Sequence, residues 1–305
     1  MLDPRLVEDA ANRLDTDEGL VEKDWHVVRA ISVIASLDHG GMQPAFSGGT
    51  SLSAAWGLIK RFSEDIDFKV ATPVASSTSQ ARAHRRRYRE RVLAALNGAD
   101  FEVIGKPLGG REGNFFSTDI AYHSEFAVVP GLRPHLRLEM TFEAPALPPI
   151  ERPIRSLLAV AQGKAPEIPA FPCVDPIETA ADKLSALTWR VCVRQRGGER
   201  DDPTIIRHLH DLAALEHRVI AAPAFKTLLA TAMIADTGRG GREAPPDPAE
   251  RFAVMLDRLT KDELWADEYA EFVRNVSFAR KDETIPFAAA LEAVRRLVPS
   301  RTTRG

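Results

Sequence analysis

FSGGTSLSAAWGLIKRFSEDIDF, residues 46–68, carries the two patterns from which the fold is read. At its start an apolar run, Pro44 to Phe46, enters Gly48-Gly49, and Thr50 and Ser51 then open a helical pattern. At its end Asp65 and Asp67 alternate with Ile66 and Phe68. A period of two marks a strand, so both carboxylates project from one face. A strand, a glycine turn, a helix and a strand bearing two parallel acids together suit a nucleotide-phosphate and metal site. The glycine pair lets backbone approach phosphate closely. The helix N-terminus, with the Thr50 and Ser51 hydroxyls, offers donors to it.

Outward from this stretch, the N-terminal side reads as two amphipathic helices, Pro4–Leu14 and residues 19–37. Val21, Trp25, Val28, Ile31 or Ser32, and Ala35 form the apolar stripe of the second. Glu22, Lys23 and Asp24 read as solvated charge at its end. On the C-terminal side, ARAHRRRYRERVLAAL (81–96) places Arg82, Arg85, Arg86 and Arg89 at helical spacing as one cationic face, with Tyr88, Val92 and Leu96 as anchors. Such a run is either a solvated surface or a contact for RNA backbone or triphosphate. Strands with a glycine-rich turn are expected over 101–128. HLRLEMTFEA (135–144) alternates, with Glu139 facing either solvent or a site.

Proline-rich stretches at 144–154 and 166–173 mark a change of region. Beyond them the pattern is helical. Asp175-Pro176-Ile177-Glu178 is a capped helix start, and Asp202-Pro203 is another. Between them lies a glycine- and charge-rich loop (196–202), residues 236–249 read as an exposed loop, and two helices, about 250–275 and 284–298, close the chain. The expected class is α+β: a mixed sheet flanked by helices over 1–160, then a mainly helical domain over 161–305.

The bulk numbers exclude several classes. Net charge is −3, from 40 Lys+Arg against 43 Asp+Glu, so attraction to nucleic acid must come from local patches. Cys173 and Cys192 lack metal-ligand spacing and read as reduced core thiols. No apolar run approaches the ~18 residues of a membrane span, and the N-terminus is not signal-like, so a cytoplasmic protein is expected.

Nucleotidyl transfer uses two Mg²⁺ (or Mn²⁺) ions about 4 Å apart, held by hard oxygen ligands. Asp65 and Asp67 can share them, with Glu139 as a third acid from a neighbouring strand. A lysine such as Lys183 could neutralise charge on the departing triphosphate. Each residue has a plainer role beside this one. Lys183 could be solvated, Asp211 could pair with Arg207 one turn earlier, Glu139 could face solvent, and Ser63 could cap a turn.

Taken together, LVEKDW (20–25), FSGGTSL (46–52), RFSEDIDF (61–68), LRLEM (136–140), ADKLSAL (181–187) and RHLHDL (207–212) make the chain resemble the AbiEii/AbiGii toxin family of nucleotidyltransferase-like proteins, whose relatives include the MenT toxins. The resemblance implies that Gly48, Gly49 and Thr50 hold the nucleotide phosphates and that Asp65 and Asp67 bind metal. It further implies that Ser63 lies at the active site, that Lys183 contacts the nucleotide, and that Asp211 is the acid of the late motif. Two departures stand out: His208 replaces a frequent Asp, and Ser47 a frequent Lys. The expected function is transfer of NMP from an NTP to RNA, with tRNA 3′ ends as one target class, in a type IV toxin–antitoxin or phage-defence setting. A winged-helix AbiEi-like antitoxin is the expected partner. Transfer to a small molecule or a protein hydroxyl, Ser63 included, and a catalytically silent nucleotide-binding module are the alternatives. The helical half is expected to close over the nucleotide.

Overall fold

The structure is a computed structural model and describes residues 2–110, 113–198, 201–239, 241 and 244–299. Parts of three loops discussed above, at 111–112, 199–200, and 240 with 242–243, lie outside the described residues. Packing divides the chain into two units, Met1–Asp175 and Pro176–Gly305.

The first unit opens with α1 (Pro4–Leu14) and α2 (Glu18–Ala35), capped by Asp3 and Asp17, whose carboxylates accept from the Arg5 and Gly19 N–H groups. Next come β1 (Gln43–Ser47) and a short α3 (Gly48–Thr50) that runs directly into a π turn (Ser51–Ala55). Strand β2 (Asp65–Ala71) precedes the long helix α4 (Thr78–Asn97), capped by Ser77. β3 (Glu102–Gly109), β4 (Phe115–Ala121), β5 (Leu136–Thr141), β6 (Ile150–Ile154), α5 (Leu157–Gln162) and β7 (Ile168–Cys173) complete the unit.

The seven strands form one mixed sheet in the order β3-β4-β5-β2-β1-β7-β6. β2 runs parallel to β5 and antiparallel to β1, while β1 runs parallel to β7. Alternation then sorts the two faces. Phe46, Ile66, Phe68, Leu138, Met140 and Phe116 join Val28, Ile31 and Ile34 of α2 and Tyr88, Val92 and Leu96 of α4 in one buried core. The opposite face of the central strands carries Ser47, Asp65, Asp67, Arg137, Glu139, Ser117 and Asp119. The hydrophobic pattern thus fixes which side of the sheet can do chemistry.

The expected boundary after residue 160 falls inside α5. β7 then inserts between β1 and β6, so the sheet holds the chain until Asp175. The proline-rich sequence that marked a change of region contains β6 at the sheet edge, where missing N–H groups do least harm, and its inner neighbour β7.

The second unit is helical: α6 (Pro176–Val193), a 3₁₀ turn (Pro203–Ile205), α7 (Ile206–Ile220), α8 (Phe225–Ala235), α9 (Pro248–Lys261), α10 (Leu264–Val276) and α11 (Phe287–Leu297). Both helical starts stand where the sequence put them, at Pro176 and Pro203, and the Asp202 carboxylate accepts from Thr204 N–H. The expected helix over 250–275 is two helices. Asp262 breaks it by leaving the helical region (φ −97°, ψ 104°) and capping the next helix through Leu264 N–H. Cys173 and Cys192 are buried free thiols. No helix among the described residues is long and apolar enough to cross a membrane.

Candidate active site

Antiparallel pairing places Ser47 opposite Asp67, and parallel pairing places Glu139 on the other side of Asp67. Directly registered residues share a face and stand one strand apart, so Asp67 and Glu139 are immediate neighbours. Ser117 continues this row on β4 and donates its hydroxyl to Glu139 Oε1 at 3.3 Å.

At the end of β1 the chain turns at Gly48 with φ +74°, a conformation that excludes most side chains. A Cβ there would lie 1.9 Å from Asp67 Oδ2. At Gly49 it would meet Arg61 Nη2 at 2.8 Å and Ser63 Oγ at 2.9 Å. The two glycines therefore let the turn close onto the carboxylate of Asp67, with Ser63 and the buried Arg61 behind it.

The hydroxyls expected to meet phosphate do otherwise. Thr50 is 1 % exposed, and its Oγ1 donates to the Ser63 carbonyl at 3.2 Å and to the Asp65 carbonyl. It ties the turn to the strand bearing the acids. Ser51 is equally buried, beside the Cys173 thiol, whose ionisation burial pushes up to about 12. The reason lies in the length of the helix: two short turns with an inward-wound π segment, not a long helix presenting its N-terminus.

Asp65 departs from expectation in another way. Its Oδ1 accepts from Arg133 Nη1 at 2.7 Å. Arg133 also stands 3.3 Å from Glu64 Oε1, and its N–H donates to Glu64 at 3.0 Å. Lys23 closes the group, donating to the Glu64 carboxylate and the Arg133 carbonyl. One step along the sheet, Arg137 holds Asp119 with two bonds of 2.8 and 3.1 Å, which lowers the Asp119 pKa. Among the described residues no three His, Cys, Asp or Glu side chains are grouped to hold a metal ion. The donor chemistry of Asp65, Asp67 and Glu139 suits Mg²⁺. Their side chains are gathered as two neighbours plus one acid held by arginine, rather than as a closed cage.

Glu22, Lys23 and Asp24 are not solvated as the sequence suggested; they are 2 %, 2 % and 7 % exposed. Glu22 accepts from Ser124 Oγ at 2.6 Å and from the Glu125 and Phe126 N–H groups at 2.8 and 3.3 Å. Asp24 accepts from the Leu157 N–H at 2.5 Å, and burial raises its pKa to about 7. Burial likewise lowers the pKa of Lys23. Each anchors a loop distant in sequence, so helix periodicity alone could not reveal them.

The cationic face of α4 is also interrupted. Arg85 turns inward and is 8 % exposed. Arg89 is half-buried, its guanidinium 5.7 Å from the Phe116 ring centroid, and Arg86 pairs with Glu90 at 3.8 Å. Arg82, Arg86 and Arg89 still line one shallow groove with Ser79, Ala83 and Gly113.

In the helical unit, α6 and α7 bring Lys183 Nζ to 2.8 Å from Asp211 Oδ2, with Asp211 wholly buried. Asp211 Oδ1 lies 3.4 Å from His210 Nδ1. The sequence offered Arg207 as the plain partner of Asp211; the structure brings Lys183 to it. Sequence reasoning missed Arg61 and Arg133. Arg61 sat within RFSEDIDF and drew no role there, whereas Arg133 lies in a loop with no pattern to signal it.

Against known proteins, a family profile described as the nucleotidyl transferase AbiEii toxin of a type IV toxin–antitoxin system matches residues 32–293. Among solved structures the chain is similar to MenT4, a nucleotidyltransferase toxin from Mycobacterium tuberculosis H37Rv, at 20% identity and TM-score 0.54, over 97% of this chain and 99% of that one. At that identity the likeness speaks for the fold alone. A sequence comparison with curated proteins gives no match.

Proposed function

The chain belongs to the AbiEii family of type IV toxin–antitoxin nucleotidyltransferases, and from that premise we propose that it moves NMP from an NTP to a hydroxyl of RNA, the 3′ end of a tRNA. In this reaction the bond between the α- and β-phosphates breaks, a phosphodiester forms to the acceptor oxygen, and pyrophosphate leaves. The observation that carries the reading is the row Gly48–Asp67–Glu139: a glycine turn pressed onto a carboxylate that neighbours a second one.

Each residue then has a physical task. Gly48 and Gly49 keep side chains away from the phosphates and allow backbone contact. The Thr50 hydroxyl fixes the turn to β2, and Ser63 supports Gly49 from behind. Ser117 orients Glu139. Asp65, Asp67 and Glu139 would hold Mg²⁺ or Mn²⁺, which would supply charge neutralisation and activation of the hydroxyl. Lys183, fixed by Asp211, is assigned to the nucleotide. Arg82, Arg86 and Arg89 supply sequence-blind phosphate contacts to the acceptor, and Arg85 leaves that set because it is buried. A toxin of a type IV system implies an antitoxin; a winged-helix regulator and a phage-defence role are proposed with it.

The test is incorporation of each α-labelled NTP into total RNA and tRNA with Mg²⁺ present. Wild type labels tRNA, and Asp67→Ala loses at least a hundredfold of the rate, as expected for a group acting on the transition state (about 3 kcal/mol or more). No labelling with any of the four NTPs would sink the RNA reading.

A further inference from the structure

His208 lies on α7 beside the Lys183–Asp211 pair, in the helical unit. It is 8 % exposed, and neither ring nitrogen has a hydrogen-bond partner among the described residues. One nitrogen of Arg190, Nε, is likewise buried and unbonded there, although its Nη1 pairs with Asp202 at 2.9 Å. Buried polar atoms are nearly always paired, and leaving them unpaired costs free energy. An imidazole kept only to fill space would be better replaced by leucine. The unsatisfied ring is explained if a ligand completes it.

The surroundings say what kind of ligand. Lys183, Arg207 and Arg190 act on His208 as cations, with Asp211 opposing them as an anion. Burial first, and these cations after it, hold the His208 pKa well below the ordinary 6.5. The ring is therefore neutral, with one N–H to give and one lone pair to fill. The cations favour an anionic oxygen for the N–H, and the lone pair needs a hydroxyl. A nucleoside triphosphate carries both in one molecule, on its phosphates and on its ribose.

We propose that His208 is a nucleotide-contacting residue, donating to a phosphate oxygen of the NTP and accepting from the ribose 2′-hydroxyl. The identity of the ligand rests on the nucleotidyltransferase reading above; the demand for a ligand rests on the unsatisfied ring.

The test uses full-length protein, the four NTPs, the matching dNTPs and inorganic tripolyphosphate. His208→Leu raises the melting temperature of the ligand-free protein, because an unpaired polar group has been removed. The same change weakens NTP binding about ten- to hundredfold, as expected for a charge-assisted bond, and abolishes the preference for NTP over dNTP. His208→Gln, which keeps a donor and an acceptor, recovers part of the affinity. In unmodified protein, the ¹⁵N resonances of His208 shift when tripolyphosphate is added, whatever the variants do. His208→Leu binding NTP as tightly as wild type overturns the proposal, as do unmoved ¹⁵N resonances, or wild type binding neither NTP nor tripolyphosphate. Failure of the transferase reading looks different: wild type binds NTP and labels no RNA, and the binding comparison still decides His208.

Discussion

Gly48 shows how much one missing side chain can set. Its φ of +74° and the 1.9 Å that would separate a Cβ from Asp67 Oδ2 leave room for hydrogen only. Gly48→Ala costs about 1 kcal/mol in backbone conformation, and it pushes the Asp67 carboxylate out of its row. The expected result is a modest fall in melting temperature with a loss of labelling as deep as that of Asp67→Ala. Activity close to wild type would show that Asp67 does not depend on the turn. Two neighbours on α2 make a second case through their pH dependence. Burial raises Asp24 from 3.8 to about 7 and lowers His26 from 6.5 to about 4. Asp24 is protonated more readily when folded, so its contribution is whole at low pH and is lost as pH rises to about 7. His26 resists protonation when folded, so its contribution is whole above 6.5 and is lost as pH falls towards about 4. The two trends oppose, worth up to roughly 4 kcal/mol for Asp24 and roughly 3 for His26, and flatten the wild-type profile. Asp24→Asn, which keeps an acceptor for Leu157 N–H, leaves stability climbing from pH 4 to 6.5 in urea unfolding. His26→Gln leaves it falling. A variant profile parallel to wild type would show that the residue does not titrate there.

At the scale of elements, the loop between β4 and β5 is what ties α2 to the site. It carries Ser124 and Phe126 to Glu22 and Arg133 to Asp65, and Lys23 of α2 holds the Arg133 carbonyl. On the proposed metal role, Arg133 and a divalent cation would compete for the same Asp65 oxygen. Arg133→Gln is therefore expected to tighten Mn²⁺ binding severalfold, read by electron paramagnetic resonance. It is also expected to lower stability by about 1–3 kcal/mol, since Glu64 and Asp65 lose their shared cation. Unchanged Mn²⁺ affinity would remove Asp65 from the metal set. The sequence showed the strand of Asp65 and Asp67, the alternation around Glu139, the helix start at Pro176 and the cap at Asp202, because each is a local pattern set by period or by backbone donors. It did not show the burial of Glu22, Lys23 and Asp24, the inward turn of Arg85, or Arg133 on Asp65. Those partners lie far along the chain, 41 residues for Lys23 and Glu64 and 68 for Arg133 and Asp65, so no window of sequence contains both ends.

For the whole molecule, the division at Asp175 is a statement about which residues complete a sheet. β7 pairs with β1 on one side and β6 on the other, so within the sheet it joins the β6 edge to the central strands. Its Cys173 registers with Phe46 at the heart of the core, next to the turn that precedes Gly48. Punctuation by proline hid this, because strands near a sheet edge and a change of region use the same residues. A fragment of residues 1–175 keeps all seven strands together with α2 and α4, and should fold by itself with a cooperative urea transition. A fragment of residues 1–160 lacks β7, cuts α5, leaves β6 unpaired and exposes Phe46. It should therefore be aggregated or poorly dispersed in ¹H–¹⁵N spectra. The two spectra decide the matter together: equal dispersion in both would mean that the core closes without β7 and that the first unit ends near residue 160.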